Sequence, residues 1–227
     1  MITPDAIVAI APAARPYAVE LVKQCAEAGI MANPKRASMF LGQVMVESAG
    51  FRATVESFAY KPQRLLDVFR GRNGLKTLAQ AQALVAQGHE AVANHVYGGE
   101  WGRRNLGNTE PGDGYTYRGR GLKQITGRDN YRAVSRAWQG DTSILDNPDR
   151  VADPDGAVAS AIWFWMARQL NAEADRGTVS SVTRIVNGGQ NGLAERELWT
   201  KRFREAWEER ADFSRVRSSI TSTETPR

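Results

Sequence analysis

The chain has 227 residues, 42% of them hydrophobic, and six tryptophans, enough for the core of one generous domain or one domain in two lobes. Its formal net charge of +5 and pI near 9.5 favour anionic partners such as nucleic acid, acidic membranes or bacterial envelope polymers. One cysteine, Cys25, and two histidines, His89 and His95, exclude a disulfide framework and a thiolate metal cluster within the chain; no metal or cofactor is expected.

Lys and Arg are dispersed, without zinc-finger spacing or an aromatic RNA-binding signature, so nucleic acid is not an expected partner. No run approaches the ~20 apolar residues of a membrane span. The N-terminal stretch lacks a basic segment before its apolar run, and Pro12 interrupts that run; no signal peptide is expected, and synthesis in a cytoplasm follows.

Helical patterns dominate. Residues 14–30 carry a stripe of Ala18, Leu21, Val22 and Cys25, which makes the thiol a buried structural one, and end at Ala28-Gly29. Asn33-Pro34 reads as a cap followed by proline in the first turn. The helix that follows aligns Ala37, Phe40, Leu41, Val44 and Met45 on one face and stops at Gly50. Residues 61–96 predict two or three helices, opened by Pro62 and broken between Gly71 and Gly74. From 98 to 121, eight of 24 residues are glycine, which predicts a long functional loop with a short strand or hairpin around 115–118. Helices resume at 128–138, at 155–170 as an apolar central element holding Trp163 and Trp165, and at 178–186. A charged helix over 192–212, with Trp199 and Trp207 anchoring its inner face, closes a single domain spanning 1–212; residues 213–227 read as a polar, flexible tail.

The stretch VESAGFRATVES at 46–57 holds two glutamates nine residues apart, Glu47 and Glu56. Glu47 continues the buried face of its helix; it is either a partly desolvated carboxyl suited to general acid work or a helix-end glutamate leaning into solvent. In one unbroken helix the two side chains would lie on opposite faces, so they can cooperate only if the chain breaks between them. Gly50 offers the break and Val55 suits an extended segment. Further on, YRGRGLKQITGRDNY at 117–131 places Arg118, Arg120, Gln124, Thr126 and Asn130 in a Gly/Arg turn. Gln124 and Thr126 alternate like one face of a strand, and their amide and hydroxyl groups suit sugar hydroxyls, N-acetyl groups or a held water. No phosphate-loop pattern is present. Trp101, Tyr115 and Tyr117 either stack on a ligand or pack within the loop.

Three stretches, FLGQVMVESAGF (40–51), YRGRGLKQITGRDNY (117–131) and IVNGGQNGLAER (185–196), resemble glycoside hydrolase family 19, the chitinase-like branch of the lysozyme superfamily, over roughly residues 35–200. Within it the chain is most similar to phage and prophage endolysins, notably through GNTEPGDGYTYRGRG. The resemblance implies a mainly helical, lysozyme-like domain in two lobes around a substrate cleft, with at most a small β element. It implies Glu47 as general acid, Glu56 as general base and Thr126 as the hydroxyl holding the attacking water. It also implies Gln124, Asn130 and Asn187 as sugar-binding residues and Arg196 as a supporting arginine; Tyr117 and Arg120 join them as candidate substrate contacts. Glu100, Glu110 and Asp113 are reserve bases. An inverting pair of this type stands about 6.5–9.5 Å apart. Asn191 replaces a glutamate of plant members, and Asp129-Asn130 replaces their Tyr-Asn, departures that bear on chitin specificity more than on hydrolysis. The implied protein is a monomeric peptidoglycan-cutting endolysin without stable membrane insertion, released through a holin-type pore. A chitinase, a lytic transglycosylase using Glu47 alone and a silent glycan-binding module are the alternatives.

Overall fold

The computed structural model describes residues 1–221, with side chains to residue 209. Its helices are, in chain order, α1 (Pro4–Ile10), α2 (Ala18–Glu27), α3 (Pro34–Glu47), α4 (Pro62–Phe69), α5 (Leu78–Ala86), α6 (His89–Tyr97), α7 (Gly99–Leu106), α8 (Asp113–Thr116), α9 (Arg128–Trp138), α10 (Pro154–Ala167), α11 (Leu170–Arg176), α12 (Val179–Asn187) and α13 (Leu193–Thr221). Strand pairing among the described residues is confined to two isolated bridges, Val55 with Arg120 and Arg120 with Ile125. The chain resolves into two compact units: Met1–Arg52 with the chain from Ala161 onward, and Ala53–Ser160. None of the described helices is long and apolar enough to cross a membrane.

The first unit is organised around α3. Its start follows the expected chemistry: Pro34 occupies the first turn, and Asn33 Oδ1 accepts the Arg36 N–H at 2.9 Å. Its burial exceeds the amphipathic expectation, since every residue from Ala37 to Met45 is buried. The helix packs against α11, α12 and α13, so it has no solvent face over this span. Gly42 makes the closest approach possible: a Cβ there would lie 2.4 Å from Thr200 Oγ1 and 2.9 Å from Thr200 N on α13. Phe40 meets Trp165 edge to face at 5.3 Å, and Cys25 is fully buried, which pushes its thiol well above the ordinary range.

The end of α3 is a Schellman motif, with Gly50 N–H on the Met45 carbonyl (2.7 Å) and Ala49 N–H on that of Val46 (3.3 Å). The helix therefore stops one residue earlier than its glycine suggests, and Ala49, Gly50 and Phe51 all take positive φ (49°, 73° and 65°). Ser48, wholly buried, locks the reversal by accepting the Phe51 N–H at 2.9 Å and donating to the Val44 carbonyl at 2.7 Å.

At the other end of this unit, α13 turns Arg196, Thr200 and Phe203 inward, one stripe of i, i+4, i+7 positions. Trp199 and Trp207 are half-buried on the flank of that stripe instead of forming it. The helix runs on to Thr221, past the expected boundary at 213; residues 222–227 lie outside the described residues. The apolar segment expected over 155–170 ends as a helix at Ala167, and residues 166–169 are exposed.

In the second unit, α4, α5 and α6 enclose a core of Phe58, Leu65, Phe69, Leu84, Val92 and Val96 with their neighbours, and Tyr60, Tyr97 and Tyr115 pack on its rim. The stretch expected to be a loop, 98–121, is instead half helical, holding α7 and α8, and 115–118 forms no strand. Its glycines serve close packing: a Cβ on Gly102 would lie 2.0 Å from the Tyr97 carbonyl oxygen, and one on Gly114 would lie 2.5 Å from that of Ala93. Asp113, buried, clamps the segment by accepting from Arg128 (2.5 and 2.8 Å) and from the Glu110 N–H (3.0 Å).

Overpacking a close contact costs about 1–3 kcal/mol, more than the roughly 0.5–1 kcal/mol that alanine gains over glycine inside a helix. Gly42→Ala is therefore expected to lower the midpoint of urea denaturation with an unchanged slope, because α3 and α13 must separate.

Candidate active site

Glu47 is the last residue of α3, and its carboxyl is mostly buried, with 16% of the side chain exposed. Its Oε1 accepts from Arg196 Nη2 at 2.7 Å. Gln43, one turn earlier on the same face, accepts from Arg196 Nη1 at 2.5 Å and donates to Thr183 Oγ1 at 3.0 Å. Arg196 Nε donates to the Asn191 carbonyl at 3.2 Å, which ties the start of α13 to the network. Asn187 lies one turn beyond Thr183 on α12; its Nδ2 is buried without a protein acceptor. The first unit thus gathers Glu47, Arg196 and, along α12, Asn187. Gln43 belongs to this cluster too, and its i−4 spacing from Glu47 is the signal that marks it.

Glu56 belongs to the second unit, where residues 54–56 pair antiparallel with 119–121. The Glu56 N–H donates to the Gly119 carbonyl at 2.8 Å, and the Gly121 N–H donates to that of Thr54 at 2.8 Å. This pairing sets the Glu56 side chain against the turn. Its Oε2 accepts the Gly119 N–H at 3.1 Å and its Oε1 accepts the Tyr97 hydroxyl at 2.8 Å. A Cβ at 119 would lie 3.0 Å from both Glu56 Oε2 and Gln124 Oε1, so the glycine is what lets carboxylate and amide approach the same backbone. Extended geometry at Val55, expected from its branching, is present as a bridge to Arg120.

The turn corrects the strand reading of 124–126. Arg120 and Ile125 exchange both backbone hydrogen bonds (3.1 and 2.9 Å), which closes a four-residue turn in which Gln124 has φ +54°. Gln124 Nε2 donates to the carbonyls of Gly121 (3.0 Å) and Ala53 (3.3 Å). Thr126 Oγ1 donates to the Gln124 carbonyl at 3.3 Å, and Asn130 Nδ2 donates to that of Thr126 at 2.8 Å. Glu56, Gln124, Thr126 and Asn130 are thereby brought into one neighbourhood.

Two candidate substrate contacts are not available as such. Arg120 is 2% exposed and donates to the Thr116 carbonyl, the Tyr131 hydroxyl and Asp149; Tyr117 is 3% exposed and donates to the Leu145 carbonyl while packing on Tyr131. Both brace the turn from behind. Trp101 lies against the Arg72 guanidinium, 3.7 Å from ring centroid to Cζ, and Tyr115 against that of Arg118 at 4.2 Å. Of the reserve acids, Glu100 is exposed and paired with Arg103 and Arg104, Asp113 is consumed by Arg128, and Glu110 is exposed. No cluster of His, Cys, Asp or Glu able to hold a metal exists among the described residues.

Burial raises the proton affinity of Glu56, while the Tyr97 hydroxyl, the Gly119 N–H and the Arg118 charge oppose that rise. The Tyr97 phenol itself is driven far above its ordinary range, first by burial and then by the Glu56 charge, so it stays a donor.

A protein of Haemophilus influenzae described as glycosyl hydrolase family 19 domain-containing is 36% identical over 185 residues, covering 80% of this chain and 86% of that protein. The chain belongs to glycosyl hydrolase family 19. The family model described as chitinase class I matches residues 77–189, which include the 117–131 turn and Asn187 and leave both glutamates outside. An acidic endochitinase of Petunia hybrida is 32% identical over 96 residues, 34% of this chain and 37% of the relative. Chitinase C of Streptomyces griseus has the same fold, with a TM-score of 0.62 at 18% identity over 90% of this chain and 91% of that one. A second bacterial family 19 chitinase gives 0.59 at 19% identity over 90% and 94%. The protein is thus a glycoside hydrolase with the mainly helical, lysozyme-like fold of its family, as the resemblance implied.

Two outcomes follow for the turn. Gly119→Ala is expected to displace the Glu56 carboxylate with little change in Tm and, where Glu56 acts as the base, to reduce kcat by roughly ten- to hundredfold. Because folding raises the Glu56 pKa, its ionisation opposes folding: the penalty is absent below the ordinary carboxylate range and grows as pH rises through the folded value. Glu56→Gln is therefore expected to match the parent in Tm at low pH and to exceed it near neutrality, as read by calorimetry across pH.

Proposed function

We propose that this family 19 hydrolase cuts the β-1,4 bond between N-acetylmuramic acid and N-acetylglucosamine in peptidoglycan, by an inverting single displacement. Glu47 donates its proton to the glycosidic oxygen. Glu56 takes a proton from the water that attacks the opposite face of the sugar, and the Thr126 hydroxyl orients that water. Gln124, Asn130 and Asn187 bind the sugars.

The observation that carries the hydrolytic roles is the contrast between the two carboxyl settings. Glu47 stands beside the buried Arg196 guanidinium, so the negative charge left after proton donation forms opposite a fixed cation. Glu56 is aimed by two neutral donors, and each of its oxygens has a second lone pair with which to accept a proton. The preference for peptidoglycan is supported by the net charge of +5, which suits an anionic wall polymer, and by Asp129 and Asn191 standing where plant chitinases carry other residues. In this reading the protein is a monomeric endolysin, made in the host cytoplasm and admitted to the wall by a holin-type pore. The chitinase reading is supported by the family model and by the named activities of the solved relatives.

Digestion of purified peptidoglycan and of chitin oligomers, with mass spectrometry of the new ends, separates the readings. Muramic acid reducing ends are expected; activity on chitin alone would replace peptidoglycan by chitin, and 1,6-anhydro ends would remove Glu56 from the mechanism. Glu47→Gln is expected to lower turnover by at least about 10²-fold while the far-UV spectrum is retained.

A further inference from the structure

The Tyr97 hydroxyl, at the C-terminal end of α6, reaches Glu56 across 41 positions of sequence. Its ring is held on two sides, edge to face with Phe58 (5.7 Å between centroids) and with Phe69 (6.2 Å). Its carbonyl is held as well, by Asn108 Nδ2 at 2.8 Å. A phenol so fixed delivers its O–H along one direction, and the Gly119 N–H holds the other carboxylate oxygen.

We propose that Tyr97 is a positioning residue for the reaction: its O–H, together with the Gly119 N–H, fixes the plane of the Glu56 carboxylate and aims it at the water from which it takes a proton. The inference rests on the reading of Glu56 as general base. The remaining groups near this pair are Tyr60 from its own segment, Arg118 from the turn after α8, and Arg72, which acts on Tyr97 and has its guanidinium over Phe69 and Trp101. Of these, Arg118 favours the ionised carboxylate, whereas burial disfavours it. Tyr97 is the side-chain hydrogen-bond donor that partly offsets burial, and removing its O–H is equivalent to raising the base's pKa further.

Tyr97→Phe keeps the ring and both aromatic contacts, so folding should be retained. With peptidoglycan and chitin oligomers as probes, KM is expected to stay within about twofold and kcat near neutrality to fall by roughly ten- to hundredfold, part of the ~10²–10⁴ a general base supplies. The acidic limb of kcat/KM should move to higher pH, with activity partly restored on the alkaline side, a displacement that a purely structural role would not produce. A Tyr97→Phe profile superimposable on the parent's, with Glu56→Gln inactive, would overturn the positioning role and leave the base assignment standing. An active Glu56→Gln would instead overturn the base assignment, and this inference with it.

Discussion

A buried guanidinium governs the second unit. Arg120 gives up nearly all its contact with water and replaces it with the Thr116 carbonyl, the Tyr131 hydroxyl and Asp149, whose own side chain is 76% exposed. Such burial is tolerable only because the planar fork of arginine meets several acceptors at once. The main chain of the same residue pairs with Ile125 on one side and bridges Val55 on the other. Fixing one side chain therefore fixes the turn that carries Gln124 and Thr126 and the strand-like segment that carries Glu56. The flanking glycines then have a clear division of labour: Gly119 admits the carboxylate, and Gly121 admits Ser160, whose Oγ would lie 2.2 Å from a Cβ.

The first unit repeats the device with a different outcome. Arg196 is as deeply buried, but it spends one arm of its fork on Glu47 and the other on Gln43. One glutamate is thus held by a cation and the other by neutral donors in a partly dry setting. Environment, rather than residue type, separates the two chemically identical groups.

The sequence was most legible where its punctuation is chemically unambiguous. Asn33-Pro34, Pro62 and the Gly71–Gly74 break each mark a helix boundary that the structure also has. Glycine density was the misleading signal. A flexible loop and a helix pressed onto its neighbours call for the same residue, and only the contacts of Gly102 and Gly114 tell them apart. Tyr117 and Arg120 sit in the right motif but point inward, which local polarity cannot reveal. Tyr97 was illegible for another reason: nothing in the residues around it announces a partner 41 positions upstream. Glu47 and Glu56 stood out through the doubled Val-Glu-Ser, periodicity alone left their pairing open, and their roles came from the family pattern.

The reversal after α3 shows where this protein has gone without stability. Ala49 and Phe51 occupy the left-handed region, at roughly 1–2 kcal/mol per non-glycine residue, directly beyond Glu47. Phe51 recovers something by burying its ring beside Tyr17, whereas Ala49 is exposed and recovers nothing through packing. Selection for heat tolerance would find easy gains at this bend, two residues beyond the last residue of α3. If Glu47 is the acid proposed above, thermal improvement at this bend is made next to the reacting group.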